Sequence, residues 1–135
     1  MADRPRNILI CSCESTMPLN GEAIRRACKD SVVTEGRQFC RAELDRFRKL
    51  AATGESITVA CTQEAPLFTE VASEIENAGT IDFVNIRETA GWSSDAKRDG
   101  KAVGPKMAAL LAAAAEPAPP VPGVNFNSEG VTLLY

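Results

Sequence analysis

The sequence predicts an α/β fold. Short apolar, β-branched runs at 7–11 (NILIC), 31–34 (SVVT), 56–61 (SITVAC) and 81–86 (IDFVNI) have the length and character of buried strands. Longer segments between them carry apolar residues at helical spacing. Strand and helix therefore alternate four times along the chain, which is the pattern of a parallel sheet with right-handed crossovers. The expected architecture is three-layered: a mainly parallel four-stranded sheet with helices on both faces, Rossmann- or flavodoxin-like.

Each helical segment has its own signals. Leu19–Lys29 places Leu19, Ala23, Ile24 and Ala27 on one side, with Asn20 able to cap it. Cys40–Ala52 is amphipathic through Ala42, Leu44, Phe47, Leu50 and Ala51, and Gly54 ends it. Pro66–Ala78 has proline in its first turn, Phe68, Val71, Ala72 and Ile75 facing inward, and Gly79 beyond its end. A last helix lies within Ser94–Ala115, where Gly100, Gly104 and Pro105 favour a split. Residues 1–115 form the domain on this reading. Residues 116–123 (EPAPPVPG) read as a semi-rigid Pro-rich linker. Residues 124–135 (VNFNSEGVTLLY) alternate and then turn apolar, and are expected to lead into a following domain of a longer polypeptide.

Length and composition bound the function. The 135 residues suit one domain, and 44% hydrophobic content supports a real core. A net charge of −3 and a pI near 5.0 argue against nucleic acid, which wants a basic face. Residues 1–10 hold an apolar run too short for a signal peptide, and Met107–Ala115 is too short to span a bilayer. A cytoplasmic location is expected. Five cysteines, an odd number, then argue against a disulfide framework. Histidine is absent. That removes Ser-His-Asp and Cys-His catalysis and every histidine-containing metal site. Any metal must be held by cysteine, carboxylate or backbone.

The cysteines fall in a pattern. In a parallel α/β sheet the loops after the strands share one edge, where ligands bind. Cys11 ends the first strand and Cys13 follows it. Cys40 opens the helix after the second strand, and Cys61 ends the third. Four cysteines from three loops thus share one edge, while Cys28 lies near the end of the first helix, away from them. A helix N-terminus would favour the thiolates of Cys40 and Cys61. Four thiolates without histidine suit a tetrahedral sulfur site, either zinc or an iron–sulfur cluster. Two readings without metal stand beside these: a Cys11/Cys13 pair in thiol–disulfide exchange, and a ligand-free domain that docks other proteins of a complex. After the fourth strand come Arg87, Glu88 and Trp92 on the same edge. Arg87 is placed to donate hydrogen bonds to sulfur, or to form a plain surface pair with Glu88. Trp92 is a candidate to cover the site or to contact a neighbouring domain.

CSC at 11–13, CRAELDRF at 40–47, ACTQEAPLF at 60–68, NIRE at 85–88 and GW at 91–92 occur in an order and spacing that cover most of 7–115. In this the chain resembles the N-terminal domain of heterodisulfide reductase A-like multidomain iron–sulfur flavoproteins. The resemblance implies a [4Fe-4S] cluster on Cys11, Cys13, Cys40 and Cys61, with no complete catalytic site in the domain. It implies an electron-transfer role beside an FAD-binding domain and ferredoxin modules further along the same polypeptide. Other redox subunits would be further partners. Glu14 stands where the family usually has glycine, and Gln63 and Glu64 stand where it often has His-Glu. A heterodisulfide substrate is not carried over.

Overall fold

The structure is a computed structural model and describes residues 6–117 and 122–132. Four strands form one all-parallel sheet in the order β2-β1-β3-β4. They are β1 (Arg6–Cys11), β2 (Ser31–Gly36), β3 (Ile57–Val59) and β4 (Ile81–Phe83). The helices are α1 (Gly21–Ala27), α2 (Leu44–Ala51), α3 (Ala65–Ser73), α4 (Ser94–Arg98) and α5 (Gly104–Ala114), with a π-helical turn at Arg87–Gly91. The α/β, three-layer reading is what the chain adopts.

Alternation along β1 explains the layers, since successive side chains point to opposite faces. Ile8 and Ile10 pack on one face with Ile24 of α1 and with Met107, Ala108 and Leu111 of α5. Leu9 packs on the other with Phe47 and Ala51 of α2 and with Phe68 and Val71 of α3. Two apolar cores thus flank the sheet. Phe47 and Phe68 meet edge to face with ring centroids 4.8 Å apart, a geometry favoured by the ring quadrupoles.

Caps account for several boundaries. Asn20 Oδ1 accepts from the Ala23 N–H at 3.1 Å and starts α1. Ser93 Oγ accepts from the Ala96 N–H at 3.2 Å and starts α4. The last helical segment is split between Arg98 and Gly104, as its glycines and proline foretold. Other boundaries differ from expectation. The first helix stops at Ala27, with Cys28 as its cap. The third helix ends at Ser73, and Asn77 (φ 62°) makes the left-handed turn expected nearer Gly79. Gly79 has a different use, because a Cβ there would lie 2.2 Å from the Glu55 carbonyl oxygen. The third and fourth strands are each three residues long, shorter than their apolar runs.

Part of the expected linker, residues 118–121, lies outside the described residues, as do 133–135 of the apolar C-terminal run and 1–5. The described residues 122–132 carry no regular structure. No helix among the described residues is long and apolar enough to cross a membrane.

Among the described residues, one buried side-chain polar group is unsatisfied. The hydroxyl of Thr58, in the middle of β3 and 1% exposed, has no hydrogen-bond partner. A buried polar group without a partner costs about 1–3 kcal/mol. Thr58→Val keeps the shape and β-branching. It is expected to raise stability by about 1 kcal/mol, or about 4 °C in Tm for a domain of this size. Thermal unfolding of the two proteins checks this.

Candidate functional site

The sheet order creates the site. From β1 the chain crosses to β2 on one side, and from β3 it crosses to β4 on the other. The loops after β1 and β3 therefore diverge and leave a crevice between adjacent strands, the usual ligand position in such sheets. A cavity of about 150 Å³ opens there. Cys11, Cys13, Cys40 and Cys61 all line it. Leu9, Phe39, Val59, Ala60 and Phe68 form an apolar wall, and Gln38, Arg41, Glu64 and Arg87 supply the polar lining. The volume is roughly ten times what one water molecule requires.

Each cysteine is half-buried and free of any disulfide. Cys11 closes β1 opposite Gly36 of β2. Its sulfur faces the backbone N–H groups of Cys13 and Phe39, yet burial outweighs them and pushes its pKa up. The N–H two residues on from a thiolate is well placed to satisfy it, and this gives the Cys-x-Cys spacing a physical purpose.

The loop holding Cys13 is unusual. Cys13, Glu14 and Ser15 have φ values of 50°, 61° and 66°. Left-handed backbone costs a non-glycine residue about 1–2 kcal/mol, so the loop must be held. The Glu14 N–H donates to the Arg37 carbonyl at 2.9 Å and the Met17 N–H to the Ser12 carbonyl at 3.2 Å. The Ser15 N–H donates to Ser12 Oγ at 3.1 Å, and Thr16 Oγ1 donates to the Cys13 carbonyl at 2.7 Å. Glu14, where a glycine would be relaxed, is one of the three strained positions.

Cys40 corrects one expectation. It does not open a helix, because α2 begins only at Leu44. It sits instead in a turned segment that Glu43 fastens. The Glu43 carboxylate accepts from the backbone N–H groups of Arg37 and Gln38 (2.7 Å to Gln38) and pairs with Arg46. Phe39 packs beneath, 1% exposed, over Gly36. A Cβ on Gly36 would lie 2.6 Å from the Phe39 ring, so glycine permits this close approach. Burial, with Glu64 adding to it, pushes the Cys40 pKa up. Cys61 lies two residues beyond β3 and four before α3. The helix-terminus benefit expected for both thiolates is thus weakened by distance, since the effect fades within the first turn.

Glu43 gives a pH prediction. The Gln38 N–H, then those of Arg37 and the Arg46 side chain, hold its pKa below the ordinary value against the opposing cost of burial. Its contribution is present above the unfolded carboxylate value of about 4.3. It is lost as pH falls through the lower folded value. Glu43→Gln is expected to lose about 1–3 kcal/mol at pH 7, and its stability should fall less steeply than the parent's below pH ~4. Urea unfolding across pH 3–7 checks both.

Arg87 and Trp92 come together through the π-helical turn. The Gly91 N–H reaches back to Ile86 O and the Trp92 N–H to Arg87 O, each at 2.8 Å. This wider turn lays the Arg87 guanidinium over the Trp92 ring, 4.3 Å from its centroid. Arg87 Nη1 donates to Cys13 Sγ at 3.5 Å, and Nε donates to Glu88 Oε1 at 2.8 Å. Arg87 thus touches Cys13 and Glu88 at once. Trp92 Nε1 donates to Thr16 Oγ1 at 3.2 Å, while the ring stays 42% exposed.

No family model, curated protein or solved structure matches the chain. What the site can do must then be read from its residues. All four cysteines singled out from the sequence meet at one cavity, with Arg87 on its wall. Cys28 does not join them. It packs near Arg6, at the opposite end of β1, where burial pushes its thiol pKa up. Among the described residues, no three Cys, Asp or Glu side chains are gathered at one point able to hold a metal ion. The four thiols line the one cavity, and Cys11 is close enough to Cys13, Cys40 and Cys61 for their charges to couple. Sequence reasoning missed Phe39 and Glu43. Phe39 was visible only as an apolar residue beside a cysteine, and Glu43 looked like any charge on a solvated helix face.

Proposed function

We propose that this domain binds a [4Fe-4S] cluster through Cys11, Cys13, Cys40 and Cys61 and serves as an electron-transfer module of a larger oxidoreductase. The observation that carries the reading is the convergence of four thiols, from three separate loops, on one mostly apolar cavity at the switch point of the sheet. The donor set fits, being all sulfur with no histidine anywhere in the chain.

Such a cluster supplies one-electron transfer. The chain's own residues would hold and tune it. Leu9, Phe39, Val59 and Phe68 keep water from one side and lower the local dielectric. The N–H groups of Cys13 and Phe39 offset charge on the Cys11 sulfur. On this reading the module has no complete catalytic site of its own. The resemblance to heterodisulfide reductase A-like proteins adds that FAD and ferredoxin domains of the same polypeptide would be its partners, in a reducing cytoplasmic setting.

The test is iron, acid-labile sulfide and zinc per chain in protein prepared without oxygen, with the visible spectrum. About four irons and four sulfides, with broad absorption bleached on reduction, would support the reading. One zinc would make the site structural. Neither metal, even after reconstitution with iron and sulfide, would sink it.

A further inference from the structure

We infer that Arg87 is a positioning residue that makes Cys13 the electropositive corner of the site and raises the reduction potential of the group held there, with Glu88 opposing it. The inference rests on the cluster reading above. It begins from how firmly the guanidinium is held. Its side chain is 14% exposed, and three different partners hold it. Glu88 takes Nε and Nη2, the Trp92 ring lies 4.3 Å away, and Nη1 is left to donate to Cys13 Sγ at 3.5 Å. A surface ion pair would need neither the aromatic face nor the sulfur. Glu88 is itself fixed, its N–H donating to Asn85 Oδ1 at 3.0 Å. Among the described residues, Cys13 is the one cysteine whose sulfur accepts a hydrogen bond from a charged side chain.

The asymmetry has an electronic consequence. Cys11 is served by neutral backbone N–H groups, and Cys40 lies beside the carboxylate of Glu64. Among the described residues, Arg87 is the cationic side chain that donates to a sulfur of the site. Reduction adds one electron, delivered by a one-electron donor, and no proton, so negative charge rises on iron and sulfur. A cation donating to sulfur stabilises that reduced form, and a nearby carboxylate destabilises it. The two neighbours Arg87 and Glu88 therefore act with opposite signs on one couple. The exposed Trp92 ring stacks on the same guanidinium.

The experiment compares the parent, Arg87→Gln, Arg87→Lys and Glu88→Gln, each loaded with iron and sulfide, by redox titration followed by visible absorption. Far-ultraviolet dichroism and thermal unfolding check that each variant is folded. The expected result is a shift to lower potential for Arg87→Gln, a smaller one for Arg87→Lys, and a shift to higher potential for Glu88→Gln. Iron and sulfide contents should be unchanged. Loaded variants whose potentials equal the parent's, or all shift in one direction, would overturn the inference and leave the cluster reading intact. If Arg87→Gln fails to fold or load, Glu88→Gln decides alone: a higher potential supports the inference, and no shift or a lower one overturns it. A parent protein that takes up no iron and sulfide would overturn both.

Discussion

Cys11→Ala is expected to bring iron and sulfide per chain down to background while the domain stays folded. Cys11 ends the inner strand β1, and two backbone N–H groups face its sulfur at the cavity. Cys61→Ala should behave the same way, because its loop forms the opposite wall of the crevice. Neither change removes much apolar surface. Each should cost about 1–2 kcal/mol of stability, a minor part of the roughly 5–15 kcal/mol typical of a domain. Cys28→Ala is the control, and full iron and sulfide loading is expected, since Cys28 sits at the far end of β1. The readout is metal content beside the dichroism spectrum. Full loading of both Cys11→Ala and Cys61→Ala would refute the ligand assignment.

Phe68→Ala is expected to be the most damaging single change to the fold. Phe68 is 1% exposed and packs between Phe47 and Phe83, with ring centroids at 4.8 Å and 6.5 Å. Removing a buried phenyl ring costs about 3–5 kcal/mol, from lost transfer energy and the cavity left behind. In a domain of this size that is about 12–20 °C in Tm. Phe68 also lines the cysteine cavity, so the vacated space would join it and admit water to the wall behind Cys40 and Cys61. A shorter-lived visible chromophore in air is therefore expected for the loaded variant. Phe68→Leu, which keeps most of the volume, should cost less than about 1.5 kcal/mol. Urea unfolding and the rate of bleaching in air measure the two effects separately.

The acid sensitivity expected of Glu43 belongs to the same picture. Glu43 fastens residues 37–43, and Cys40 lies within that segment. Its loss is expected to loosen the Cys40 loop before it unfolds the domain. The Glu88 pKa is lowered as well, chiefly by Arg87, so its pairing with Arg87 is also lost in acid.

The amino-acid sequence by itself determined the class of the fold and which cysteines share one edge of the sheet. Buried strands in a parallel sheet are short continuous apolar runs, so NILIC and IDFVNI were legible without any partner. Proline and glycine break helices by local chemistry, which made the split before α5 legible too. The absence of histidine is a fact of composition, and it limited the donors to sulfur and oxygen. The positions of Cys11, Cys13, Cys40 and Cys61 relative to the strands then pointed to one edge.

Tertiary structure decided the rest, because it depends on residues far apart in the chain. The order β2-β1-β3-β4 makes the crevice, and no local propensity specifies which strand pairs with which. Helix α2 looked as if it began at Cys40, since periodicity counts Ala42 and Leu44 alike. It begins at Leu44 because Glu43 turns back to the N–H groups of Arg37 and Gln38. The left-handed run at Cys13–Ser15 has no glycine to announce it, and it is held in place partly by Arg37 on a neighbouring loop. The π-helical turn brings Arg87 over Trp92 and against Cys13, 74 residues earlier in the chain. Hydrogen bonds and desolvation act through space, and only the folded chain sets those distances.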